Sequence, residues 1–136
     1  MSGLVLDASV VLAVVLQETN RRHAAEVLAG VAEHRATVPS LWHIEVGNAL
    51  LIAERRKLIS AAEKSAALRD IAGLPIKVDG ETVARAWREA LSLAEQYRLT
   101  LDDSLYLELS LRRQLPLATF DTALQRAARS ANVALL

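Results

Sequence analysis

A three-layer α/β/α sandwich around a mostly parallel sheet of about five strands is the fold this sequence predicts. Short β-branched or apolar runs alternate along it with longer segments of helical periodicity. Strands that alternate with amphipathic helices form parallel sheets covered on both faces. The 136 residues, 52% of them hydrophobic, are enough to bury one core, and a single domain over 1–136 is expected.

The elements follow in order. LVLDASVVLAVVL, the most apolar stretch, is shorter than the ~20 residues a bilayer crossing needs, is interrupted by Asp7 and lacks a basic leader. It reads as a strand at GLVL (3–6), a turn and a helix near 8–16 in a soluble, cytoplasmic protein. A helix near 21–34 leads to the strand ATV (36–38), and a helix near 40–57 carries SLWHIEVGNALLIAERRK. Ser60 and Glu63 stand at capping-box spacing, so a helix starts there and runs to 72. The strand PIKV (75–78), helices near 80–98 and 102–113, the strand LAT (117–119), a helix near 121–131 and the strand VAL (133–135) complete the series. No repeat, low-complexity tract or linker interrupts it.

Composition removes several classes of function. There is no cysteine, so neither a disulfide framework nor a thiolate zinc site is available, which suits a reducing cytosol. His23, His34 and His43 fall in no metal-ligand spacing and read as surface or packing residues. Sixteen basic residues balance sixteen acidic ones, so net charge carries no nucleic-acid signature. Most of the bases are arginines, whose guanidinium suits bidentate phosphate contacts, although genome composition produces the same bias.

The placement of the acids is more informative. Asp7 directly follows the first strand, and Asp121 follows LAT with only Phe120 between. Both therefore lie at strand C-terminal ends, the edge where open parallel sheets place their sites. Asp102 and Asp103 open the helix that leads back to that sheet. Each aspartate taken alone also fits a helix N-cap, because Asp accepts the unpaired N–H groups there and meets the positive end of the helix dipole. Glu45 differs: at ~100° per residue it projects with Leu41, Ala49 and Ile52, away from His43 and Glu54. A carboxylate on such an arc needs a partner, a cation or a path to water at its rim. Asn48, one turn on, falls on much the same arc, where it can orient Glu45.

Carboxylates facing one another at a sheet edge repel unless a divalent cation neutralises them. Oxygen-only ligands favour Mg²⁺, with Mn²⁺ as a substitute. Such a cation acidifies a bound water and stabilises charge on a phosphoryl oxygen, so the chemistry implied is phosphodiester hydrolysis with no histidine base.

LVLDAS, IEVGNAL, LTLDDSLYLELSLRR and PLATFDTALQRAARSANV, in that order and nearly end to end, resemble the PIN-domain nucleases, most closely the VapC-type toxins of bacterial toxin–antitoxin pairs. The resemblance implies that Asp7, Glu45, Asp103 and Asp121 are the catalytic, metal-binding acids, with Ser9 and Thr119 as supporting hydroxyls. The family carries an aspartate and a small residue followed by Tyr, Leu and Glu. Asp103-Ser104 and Tyr106-Leu107-Glu108 fit that pattern, so Asp103 takes the ligand role. Asp102 stands where relatives often have an aromatic, and reads as a capping or surface acid.

The resemblance further implies a Mg²⁺-dependent endoribonuclease, the toxin of a type II VapBC-like pair. Its substrate would be structured RNA, often transfer or ribosomal; it would be silenced by a VapB-like antitoxin and pair as a homodimer. With the four acids set aside as a cluster, sixteen bases face twelve acids, so the remaining surface can attract phosphate. Arg21-Arg22, Arg55-Arg56 and Arg112-Arg113 are candidate contacts, each pair fitting a solvated helix end equally well. Trp42 and Trp87 are expected in buried packing rather than in an oligomer interface. Two other classes share part of the pattern. A phosphoacceptor signalling domain needs a lysine after a late strand, and Lys57, Lys64 and Lys77 all precede residue 117. A catalytically silent PIN-like module that only binds RNA or a partner has no reason to keep all four acids.

Overall fold

Four short strands, β1 (Leu4–Leu6), β2 (Ala36–Val38), β3 (Ile76–Val78) and β4 (Leu117–Ala118), form one parallel sheet in the order β3-β2-β1-β4 in the computed structural model, which describes residues 3–136. β1 sits between β2, with Val5 beside Thr37, and β4, with Leu6 beside Ala118. Both β1 and β4 are wholly buried, so they read as unbroken apolar runs. β3 lies at an edge and presents Lys77 and Val78 to solvent, a charged edge that discourages pairing with another chain.

Helices α1 (Ala8–Val15), α2 (Arg21–His34), α3 (Trp42–Arg55) and α4 (Ala61–Ala72) pack among themselves. Helices α5 (Thr82–Ala86), α6 (Glu89–Tyr97) and α8 (Thr122–Ser130) gather around α7 (Leu101–Arg113). These two groups flank the sheet and make the three layers. α4 begins as expected with a reciprocal capping box, Glu63 N–H donating to Ser60 Oγ and Ser60 N–H to Glu63 Oε1, both at 3.0 Å. Because all four strands are parallel, the residues that follow them, Asp7, Pro39, Asp79 and Thr119, share one edge.

Three expectations change. The fifth strand, VAL (133–135), is a single bridge: Leu117 N–H donates to Ala134 O at 2.8 Å and the Leu117 carbonyl accepts Leu136 N–H at 3.0 Å, and β4 is too short to extend the ladder. The helix expected over 80–98 is two, because the backbone of Arg88 leaves the helical region (φ −114°, ψ −107°). Arg85 spans the break, pairing with Glu81 at 2.8 Å and Glu89 at 3.3 Å. Trp87 ends α5 at 85% exposure instead of lying buried, since this short helix gives its inner face to Thr82, whose hydroxyl accepts Ser40 N–H at 2.9 Å. Trp42 is buried as expected, and no helix among the described residues is long and apolar enough to cross a membrane.

Candidate active site

Asp7 closes β1 and stands at the N-cap position of α1, yet its side chain makes no capping bond. Its Oδ2 instead accepts Ser9 Oγ and Thr119 Oγ1, each at 2.7 Å. Both hydroxyls in turn accept backbone N–H groups from the turn between β4 and α8, Phe120 on Ser9 at 3.0 Å and Asp121 on Thr119 at 3.1 Å. A hydroxyl has one proton, and with an N–H on its acceptor side that proton is committed to Asp7. Both bonds fall on Oδ2 of the carboxylate. Burial pushes the Asp7 carboxyl above its usual range and the charge of Asp121 adds to this, while the hydroxyls hold part of the rise back.

Asp121 is both a cap and a neighbour of the other acids. Its Oδ1 accepts Leu124 N–H at 2.8 Å and starts α8, and its charge bears on Asp7 and Asp103. At α7 the cap is Thr100, whose hydroxyl accepts Asp103 N–H at 3.4 Å. Of the two roles expected of Asp102, cap or surface acid, the structure shows the second: it is an exposed acid in the first turn. Asp103 is half-buried. Its carboxyl is pushed up to about 6, by burial first and then by Asp121, Asp102 and Asp7.

α3 buries Trp42, Val46, Leu50 and Ala53, and Glu45 lies at the edge of that face rather than within a covered arc, Ile52 being exposed. Asn48 is also exposed, and the bond Glu45 receives comes from the Tyr106 hydroxyl of α7. The orienting role expected of Asn48 therefore falls to a residue whose function the sequence pattern did not reveal. Burial raises the Glu45 carboxyl to about 7, the Tyr106 bond opposing the rise and Asp7, Asp102 and Asp103 adding to it.

The four acids thus lie within one another's field, and no ion pair among the described residues reaches any of them. Asp79, on the same sheet edge, is treated in the opposite way. Arg112 grips it through Nη2 at 2.8 Å and Nη1 at 3.1 Å while binding Glu108 through Nε at 2.8 Å and Glu81 through Nη1 at 3.1 Å. Arg113 reaches Asp79 at 3.4 Å. Burial alone would raise the Asp79 carboxyl, but the Arg112 bonds and charge hold it below its usual value. Arg112 is consequently no free phosphate contact: only 14% of its side chain is exposed and its guanidinium is committed to carboxylates. The Glu108–Arg112 spacing of four was a readable helix pair, whereas nothing local marked Asp79 as their partner.

Hard oxygen donors, crowded and without basic partners, suit a divalent cation. Among the described residues no three acid or histidine side chains stand close enough to form a ready-made cage. That agrees with a cation such as Mg²⁺, which keeps several waters and takes only one or two carboxylates directly. The histidines are all exposed and outside the cluster.

The sequence matches the PIN domain family over residues 4–130. Among solved structures the chain is similar to PAE2754 from Pyrobaculum aerophilum, with a TM-score of 0.68 and 23% identity, covering 93% of this chain and 86% of that one. This second likeness speaks for the fold. No curated protein matches the chain.

Proposed function

The chain belongs to the PIN domain family, a family of nucleases, and from that premise we propose that it is a Mg²⁺-dependent endoribonuclease, the toxin of a VapBC-like pair, working as one domain over 1–136. The observation that carries the proposal is the uneven neutralisation of acids on one sheet edge. Asp79 meets two arginines, while Asp7, Glu45, Asp103 and Asp121 meet none. Repulsion left in a fold opposes stability, and the counter-charge these oxygens suit is a divalent cation.

Asp7, Asp103, Glu45 and Asp121 would hold that cation, one or two directly and the others through its waters; one carboxylate oxygen each of Asp7, Glu45 and Asp121 is already engaged, by Ser9 with Thr119, by Tyr106 and by Leu124 N–H respectively. When bound, the cation supplies offset for the charge that builds on a phosphoryl oxygen and a more acidic water. The chain supplies orientation. Ser9 and Thr119 aim Asp7 and offset part of the rise that burial imposes on its carboxyl, and the α8 cap keeps Asp121 beside it. Exposed Arg21, Arg22, Arg55 and Arg56 remain available to RNA phosphates.

Two surfaces support the partners in this reading. A groove of about 360 Å³ between α1, α2 and α4, lined by Val11, Val14, Leu28, Ile71 and Leu74 with Glu63 and Asp70 at its rim, suits an amphipathic antitoxin helix with basic flanks. Val83 and Trp87, exposed one turn apart, suit burial against a second copy.

Purified protein free of antitoxin is expected to cleave a susceptible RNA with Mg²⁺ or Mn²⁺, leaving 5′-phosphate and 3′-hydroxyl ends, and to stop in excess EDTA. Undiminished cleavage in EDTA rules the mechanism out, and a 2′,3′-cyclic phosphate would assign the attack to the RNA's own 2′-hydroxyl. The same preparation on a calibrated sizing column tests the dimer, which a monomer at every concentration excludes.

A further inference from the structure

Tyr106 lies three residues beyond Asp103 on α7, so the two side chains leave the same face of the helix. Its ring is fully buried in the core, and only the hydroxyl emerges, donating to Glu45 Oε1 from the other helical group. The hydroxyl has a single proton, and it is directed to Glu45. Glu45 needs such a restraint. It has three rotatable side-chain bonds, is half-buried at the edge of α3, and faces the like charges of Asp7, Asp102 and Asp103, all of which favour swinging out to water. Asn48 is exposed, and no lysine or arginine among the described residues pairs with Glu45.

We propose that Tyr106 is a positioning residue: its buried hydroxyl tethers Glu45 Oε1 and holds this carboxylate beside Asp7 and Asp103, so that Glu45 is in place when a cation arrives. The inference rests on the metal-site reading above and adds the device that assembles it. The site then depends on packing in the core, because the phenol is as immobile as the ring that carries it. Restraint of a ligand by a hydrogen-bonding neighbour is worth about 10–100-fold in metal affinity at comparable sites.

The test uses Mn²⁺ alone, followed by the loss of its free-ion electron paramagnetic resonance signal. It compares the wild type with Tyr106→Phe, Glu45→Gln and the double variant. Phenylalanine keeps the ring and the core packing. Tyr106→Phe is expected to weaken Mn²⁺ binding by about tenfold or more while melting in EDTA as the wild type does. In the Glu45→Gln background the same change is expected to add nothing. High Mg²⁺ should restore cleavage by Tyr106→Phe, which it would not do for a damaged fold. Equal Mn²⁺ affinity in wild type and Tyr106→Phe overturns the tether and leaves the metal site standing. Additive losses in the double variant also overturn it, because Tyr106 would then act on something other than Glu45. A wild type that takes up no Mn²⁺ overturns the metal site and the tether together.

Discussion

Asp103→Asn is expected to cut RNA cleavage at least about 100-fold, while Asp102→Asn keeps most of it. The two residues are adjacent on the first turn of α7, so a general effect on that helix would treat them alike. Their environments separate them: Asp103 is half-buried among Asp7, Asp121 and Glu45, and Asp102 is exposed. Thr100 already caps the helix, so Asp102→Asn loses a favourable place near the positive end of the dipole, about 0.3–1 kcal/mol, offset in part by relief of its repulsion with Asp103 and Glu45. Asp7→Asn and Glu45→Gln should behave like Asp103→Asn. Asp121→Asn should be milder, since that carboxylate also has a capping duty and asparagine caps well. Single-turnover cleavage in saturating Mg²⁺ reads all five. A dead Asp102→Asn beside an active Asp103→Asn would move the ligand assignment by one residue.

Arg112→Ala is expected to lower stability by about 3–5 kcal/mol, a large share of the margin of a domain this size. The arginine holds two buried carboxylates, Asp79 through two bonds of 2.8 and 3.1 Å and Glu108 through two of 2.8 and 3.1 Å. Alanine leaves both carboxylates buried with most of their counter-charge gone, the costly way to break such a pair. A lowered carboxyl pKa contributes stability that is present above its unfolded value and lost as pH falls through the folded value; Asp79 is in this class because of Arg112. The wild type should therefore lose this contribution in acid, whereas Arg112→Ala lacks most of it at neutral pH already. Arg113→Ala is the control. Its side chain is 41% exposed and makes one longer contact of 3.4 Å, so it should cost less than about 1 kcal/mol. Urea denaturation at neutral pH measures both, and equal losses for Arg112→Ala and Arg113→Ala would deny Arg112 its central place.

The parts of the fold that were legible are those written locally. Strands such as ATV and helices such as 21–34 are marked by apolar period and by polar breaks, and α4 by its capping box, so their limits can be read residue by residue. The break at Arg88 was not legible, because no glycine or proline marks it and the tertiary gain lies in burying Thr82 on one side and Ala90 and Ala94 on the other. Trp87 was expected buried as a large aromatic, and at the end of the short α5 it is exposed instead. At the site, Asp7 and Asp121 were readable from their places after strands. Glu45 was singled out on an arc that proves half-covered, and its real partner, Tyr106, lies 61 positions away. The Asp79–Arg112 pairing is likewise long-range, and no local pattern distinguishes an acid that will meet an arginine from one left without a basic partner.

That distinction is what a melting series on the wild type and Asp103→Asn measures most directly. The raised carboxyls of Glu45, about 7 against 4.5, and Asp103, about 6 against 3.8, contribute stability fully present below the lower values and lost as pH rises through the upper ones. In EDTA the wild-type midpoint should therefore fall as pH rises through that window. At pH 8 in EDTA, Asp103→Asn, relieved of one repelling charge, should melt higher by about 3 °C or more, the shift that roughly 1 kcal/mol produces in a chain of this size. Mg²⁺ should then raise the wild-type midpoint, with little effect on Asp103→Asn, and narrow or reverse the gap. An Asp103→Asn protein that melts lower than wild type in EDTA, with no response of the wild type to Mg²⁺, would contradict the account.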